Sequence, residues 1–145
     1  MFLNELNNNE AVAFINLVNQ FAKVDEVFAK EEKELIEEYL EELEINEDKV
    51  GSLSYEEVID ILKGISNRKK SIVYFELVGL ALVDGEYGEK EIDFLDKVAA
   101  ALEIRRDKKI AFANYFFNFK DIYDFSTVES ENKIELLREE AEALL

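Results

Sequence analysis

From Ile72 to Val83 the chain is apolar at every position except Glu76 and Gly79. Such a run is too short and too interrupted to span a bilayer, and it fits a helix buried on most sides. Asp84-Gly85 then closes it, because glycine accepts the left-handed backbone that ends helices. From Glu89 to Leu102 the apolar positions recur at helical spacing, with Ile92, Leu95, Val98, Ala99 and Leu102 on one stripe. The two segments predict a tight helical hairpin.

The same periodicity continues elsewhere. Asn9 is placed to cap a helix from Glu10 to about Lys23, striped by Ala11, Phe14, Ile15, Val18, Phe21 and Ala22. Lys30 to about Glu44 carries Leu35, Ile36, Tyr39, Leu40 and Leu43 on one side and a dense set of glutamates elsewhere. Ser54 with Glu57 reads as a capping box opening a helix through about Ile65. Asp107 to about Asp121 gathers Phe112, Tyr115, Phe116 and Phe119, with Tyr123 beyond, on one face. Phe117 lies off it near Ile110 and Ala113, and is expected to fill a second layer under the C-terminal helix in preference to meeting a partner subunit. A last helix runs from about Glu131 to Leu144, with Ile134, Leu137, Ala141 and Leu144 at helical spacing. No stretch alternates with period two for long and there is no proline, so the expected fold is an all-α bundle of about seven helices in a single domain, 1–145.

Displacing the chain by 59 residues lays Ala22-Lys23-Val24-Asp25 on Ala81-Leu82-Val83-Asp84, Glu32 on Glu91, and Leu43-Glu44-Ile45 on Leu102-Glu103-Ile104. The stripe Leu35, Ile36, Tyr39, Leu40, Leu43 falls on Phe94, Leu95, Val98, Ala99, Leu102, apolar throughout. Two copies of one hairpin, at about 10–45 and 69–104, would bury their stripes by packing about an approximate twofold axis.

At these residues the chain resembles the TerB-like family, named for bacterial tellurite-resistance systems. The family's pattern is a helix of small apolar residues ending in Ala-x-x-Asp-Gly, a Glu seven residues after the Asp, then an amphipathic helix. Ala81-Leu82-Val83-Asp84-Gly85 through Glu91 is similar to it, and Ala22-Lys23-Val24-Asp25 through Glu32 is similar in weaker form, with Glu26 where the family favours Gly. The resemblance implies an all-helical domain of pseudo-symmetric hairpins, a role in bacterial stress response or membrane-associated assemblies, and acidic residues that chelate metal.

Composition limits the chemistry. The absence of Cys and His excludes disulfides, imidazole- or thiol-based catalytic systems and zinc sites built on those ligands. Catalysis is not expected, since a chain without Trp, His or a long functional loop has little from which to build a substrate cleft. Asp25, Glu32, Asp84 and Glu91 remain as candidate ligands at the hairpin turns. Without His or Cys they form a hard oxygen set suited to Ca²⁺, Mg²⁺ or Mn²⁺. An EF-hand beginning at Asp84 fails, because its sixth and twelfth positions are Glu89 and Leu95. The same carboxylates also fit a local role: with Gly88 as cap, Glu91 is the third helical residue, where a negative charge suits the helix dipole.

The net charge of -17 is concentrated early, with fourteen Asp plus Glu against four Lys in residues 1–50. A nucleic-acid partner is not expected from such a charge. Arg68-Lys69-Lys70 and the cations of Arg105 to Lys109 follow helix ends, where they would offset the negative end of the dipole. The acidic face from Glu31 to Glu42 and the aromatic helix are suited to a protein partner, with the chain a monomer or weak homodimer. The N-terminal residues carry no basic or apolar leader, which gives a cytoplasmic expectation without membrane insertion.

Overall fold

The computed structural model describes residues 2–24, 30–82, 88–125 and 130–145, with the side chains of 30–32, 119–125 and 130–136 outside that description. Among the described residues every regular element is helical. Seven α-helices follow in order: α1 (Asn8–Ala22), α2 (Lys30–Glu42), α3 (Tyr55–Lys63), α4 (Asn67–Leu82), α5 (Glu89–Ala101), α6 (Arg106–Phe125) and α7 (Ser130–Leu144). Short 3-10 turns occur at Leu3–Glu5 and Glu47–Lys49. The chain divides into two compact units, residues 1–104 and 105–145.

In the first unit the expected stripe of α1 is buried in full: Ala11, Phe14, Ile15, Val18, Phe21 and Ala22. Its cap is Asn7, where Asn9 was expected. Asn7 Oδ1 accepts the Glu10 N–H at 2.9 Å and Glu10 Oε1 accepts the Asn7 N–H at 2.9 Å, a reciprocal box that Asn9 cannot form with that glutamate. Helix α1 packs most extensively on α3. Beside that contact, Asn16 and Gln20 hold the incoming loop. Asn16 Nδ2 donates to the Val50 carbonyl and its Oδ1 accepts from the Leu53 N–H, both at 3.0 Å, while Gln20 Nε2 donates to the Leu53 carbonyl at 2.9 Å. These contacts satisfy loop backbone groups that would otherwise cost a desolvation penalty.

Helix α4 is buried from Ser71 to Val78 and at Leu80 and Ala81, as its apolar run requires. It begins at Asn67, earlier than that run, so Arg68, Lys69 and Lys70 stand in its first turn instead of trailing the preceding helix. Cations there oppose the helix dipole. Two acids compensate: Arg68 meets Glu5 in a two-pronged pair at 2.8 and 2.9 Å, and Lys69 meets Glu10 at 2.7 Å. Arg106, Lys108 and Lys109 likewise open α6.

The ends of α2 and α5 share one design. Glu44 and Glu103 are non-glycine residues with left-handed backbone, at φ 53° and 57°. After each, an isoleucine N–H reaches back five residues, Ile45 to the Leu40 carbonyl at 3.0 Å and Ile104 to the Ala99 carbonyl at 2.9 Å. Both are Schellman-type closures. The bounds of α2, 30 and 42, and of α5, 89 and 101, also differ by 59 residues at each end.

On α5, Leu95, Val98, Ala99 and Leu102 are buried as expected, but Ile92 is 37% exposed. Four residues before Leu95, Glu91 takes the centre of the buried stripe and leaves Ile92 at its edge.

The second unit is the hairpin of α6 and α7. Phe112 and Tyr115 are buried, and the Tyr115 hydroxyl donates to the Leu137 carbonyl at 3.0 Å. Lys108 Nζ donates to the Leu145 carbonyl at 2.7 Å, so the two helices run antiparallel. Phe117 is 59% exposed, which overturns the expectation that it fills a second layer: its stripe of α6 points away from that of Phe112 and Tyr115.

Candidate functional site

Of the four candidate ligands, the structure describes Glu91 in full. Gly88 precedes α5 with extended backbone (φ -73°, ψ 156°), which makes Glu91 the third helical residue as its spacing implied. Its side chain is almost wholly buried, at 5% exposure. Glu32 is also the third residue of its helix, α2, but its side chain lies outside the described residues, as do Asp25 and Asp84. Among the described residues no group of three or more carboxylates is gathered as a metal would require. Of the four candidates, the structure thus describes one side chain, that of Glu91, a buried acid in the first turn of α5.

A second buried acid was not singled out by sequence. Glu76 is 7% exposed in the middle of α4, and the Tyr39 hydroxyl donates to its backbone carbonyl at 3.1 Å across from α2. Burial pushes the Glu76 carboxyl above its ordinary range, and the charge of Glu42 adds to that, while the Tyr39 hydroxyl acts in the opposite sense. Burial likewise pushes the Tyr39 phenol well up, with the Glu76, Glu42 and Glu38 carboxylates adding to it. Proton chemistry near neutrality is thus not available from Tyr39. The signal for Glu76 was present in the sequence as the one charge inside an otherwise apolar run.

At the C-terminal end of α2, Glu37, Leu40, Glu41, Glu44, Ile45 and Asn46 line an open groove of about 640 Å³. Elsewhere in the first unit, Phe21, Phe94 and Tyr55 meet edge to face with centroids 5.6 and 6.0 Å apart, and Lys97 Nζ sits 3.9 Å from the Tyr55 ring centroid. That arrangement is a packing contact closed by a cation–π interaction. Among the described residues no helix is long and apolar enough to cross a membrane.

The chain matches no protein-family model, and no curated protein or solved structure is significantly similar to it.

Proposed function

We propose that this chain is a non-catalytic, TerB-like helical domain, built from two hairpins of one design, that takes a divalent cation through carboxylates at the hairpin turns and acts in a bacterial stress-response setting of the tellurite-resistance type. The observation that carries the cation site is the burial of Glu91. A first-turn carboxylate serves its own helix equally well when exposed. Its depth directly after the turn is what a ligand position would need and a plain cap would not. The pseudo-twofold arrangement is supported by the matched closures at Glu44 and Glu103 and by the equal displacement of the bounds of α2 and α5. Asp25 with Glu32 in one copy and Asp84 with Glu91 in the other would supply hard oxygen donors for Ca²⁺, Mg²⁺ or Mn²⁺.

Calorimetric titration of wild type and of Asp84→Asn with Glu91→Gln tests this at about 0.2 M salt, where diffuse attraction to exposed charge is largely screened. The expected result is saturable binding to wild type that separates Ca²⁺ from Mg²⁺ and is lost in the variant. Equal, weak and salt-sensitive heats from both proteins would remove the cation site.

A second reading is an acidic interaction module without metal, favoured by the groove that Glu37, Leu40, Glu41, Glu44 and Ile45 line. Apolar and acidic side chains lining one groove suit a basic amphipathic segment.

A further inference from the structure

Within the first unit α2 is held by few buried contacts. Of its described side chains, Lys33 to Glu42, Ile36 and Tyr39 are buried, whereas α1 and α4 are each buried at ten positions. Elements so lightly anchored open before the rest of a fold.

Its charge works against it as well. Residues 33–44 hold six Glu against one Lys. Glu34 with Glu38, Glu38 with Glu42 and Glu37 with Glu41 stand four apart, where like charges repel across one helical turn. Glu41, Glu42 and Glu44 crowd the negative end of the helix dipole, and the last turn carries no cation. The surrounding unit adds to the repulsion, since residues 1–104 hold ten Lys plus Arg against twenty-five Asp plus Glu. The helix also closes through Glu44 in left-handed backbone, which a residue with Cβ disfavours.

Tyr39 is the anchor that opposes all of this. Its ring meets Phe14 of α1 edge to face with centroids 5.3 Å apart, and its hydroxyl donates to the Glu76 carbonyl of α4 at 3.1 Å. Glu37, Glu38 and Glu41 are exposed on the outer side. One aromatic residue, with Ile36, thus draws α2 inward, while a repulsion that dissolved ions can screen drives it out.

We propose that α2 is a charge-gated flap: it undocks from α1 and α4 as one unit before the rest of residues 1–104 unfolds, and salt closes it. Undocking uncovers Phe14 and the middle of α4. The flap depends neither on the cation site nor on any occupant of the α2 groove, and stands or falls without them.

Native-state hydrogen exchange of the full chain tests this. The amides from Ile36 to Leu43 are expected to share one protection factor, at least about tenfold below those of the buried stretches of α1 and α4, as a single local opening requires. Raising NaCl from about 0.02 M to about 0.5 M should narrow that gap at least about threefold, because the screening length shortens. Glu38→Gln, at an exposed position, removes two of the like-charge pairs and should narrow it at low salt. Tyr39→Phe keeps the ring, loses the bond to α4, and should widen the gap about threefold. Amides of α2 that exchange in step with those of α1 and α4 would overturn the proposal. So would protection that falls steadily towards one end of α2, as fraying gives, or a gap indifferent to salt, to Glu38→Gln or to Tyr39→Phe.

Discussion

Lys69 Nζ stands 2.7 Å from Glu10 Oε1, and the two residues hold the same place in their helices, each three beyond its cap. Asn7 Oδ1 accepts the Glu10 N–H and Ser66 Oγ accepts the Lys69 N–H. They are 59 residues apart, the displacement that relates the two proposed hairpins. Were the two hairpins related by a twofold, residues near its axis would meet their own counterparts, and here the two carry opposite charge. The pair joins the N-termini of α1 and α4, and Glu10 lies almost wholly out of solvent.

The first prediction concerns that pair. Burial alone would push the Glu10 carboxyl up, but the Lys69 ammonium and the Asn7 N–H outweigh it and hold it below its ordinary value of 4.5. An acid depressed in the folded state contributes stability that is complete above its unfolded pKa and is lost as pH falls through the folded one. Urea unfolding from about pH 5 down to about pH 2 should therefore show a loss that is shallower in Glu10→Gln. A double-mutant cycle of Glu10→Gln with Lys69→Met should give a coupling of about 1 kcal/mol at neutral pH. Coupling indistinguishable from zero would mean the contact contributes nothing.

Core truncation tests the two hairpins. Leu95 is 1% exposed on α5 and Ile36, its counterpart on α2, is 8% exposed. Each change to Ala should cost about 2–5 kcal/mol in equilibrium unfolding. A cost below about 0.5 kcal/mol at either position is what an ordinary surface site gives, and would contradict a shared buried stripe.

The left-handed residues give a test by gain instead of loss. Side chains at Glu44 and Glu103 hold a backbone that costs about 1–2 kcal/mol for a residue with Cβ. Glycine removes that cost and gives back about 0.5–1 kcal/mol in unfolded-chain entropy. Glu44→Gly and Glu103→Gly should therefore each stabilise by about 0.5–1 kcal/mol in thermal or urea unfolding. Destabilisation at one and not the other would separate the two helix ends and weaken the case for one design.

What was legible in the sequence was local. The stripe of α1 follows from apolar spacing alone, and the Ser54 cap of α3 from a hydroxyl whose oxygen accepts the Glu57 N–H three residues on, a single bond where a reciprocal box is expected. Asn7 carries the same kind of signal with Glu10, but Asn9 stands nearer the apolar run and competes with it. The ion pairs of Arg68 and Lys69 were not legible, since their partners Glu5 and Glu10 lie 63 and 59 residues away. Without those partners a basic group after α3 looks like a helix tail. The place of Glu91 in its helix follows from its distance from Gly88, but its burial comes from register with Leu95 and Val98, which a stripe drawn through Ile92 hides. Phe117 departs from expectation because apolar periodicity assigns a residue to a face without saying whether anything covers that face.

Glu76 provides the last prediction, opposite in sign to that for Glu10. Burial raises its carboxyl, so between its ordinary value of 4.5 and its folded value the folded chain binds more protons than the unfolded one. Stability contributed by Glu76 must then fall as pH rises through that window and stay level above it, whereas the Glu10 contribution changes below 4.5. Glutamine at 76 keeps the side chain's size and cannot ionise. In urea unfolding, the stability of Glu76→Gln relative to wild type should therefore shift in the variant's favour as pH rises from about 4.5, and level off once the folded carboxyl has titrated. The sign of the slope is the test, because a constant offset reflects lost contacts at either protonation state. A relative stability that is flat in pH, or that shifts towards wild type, would show that the protein holds this buried carboxyl ionised.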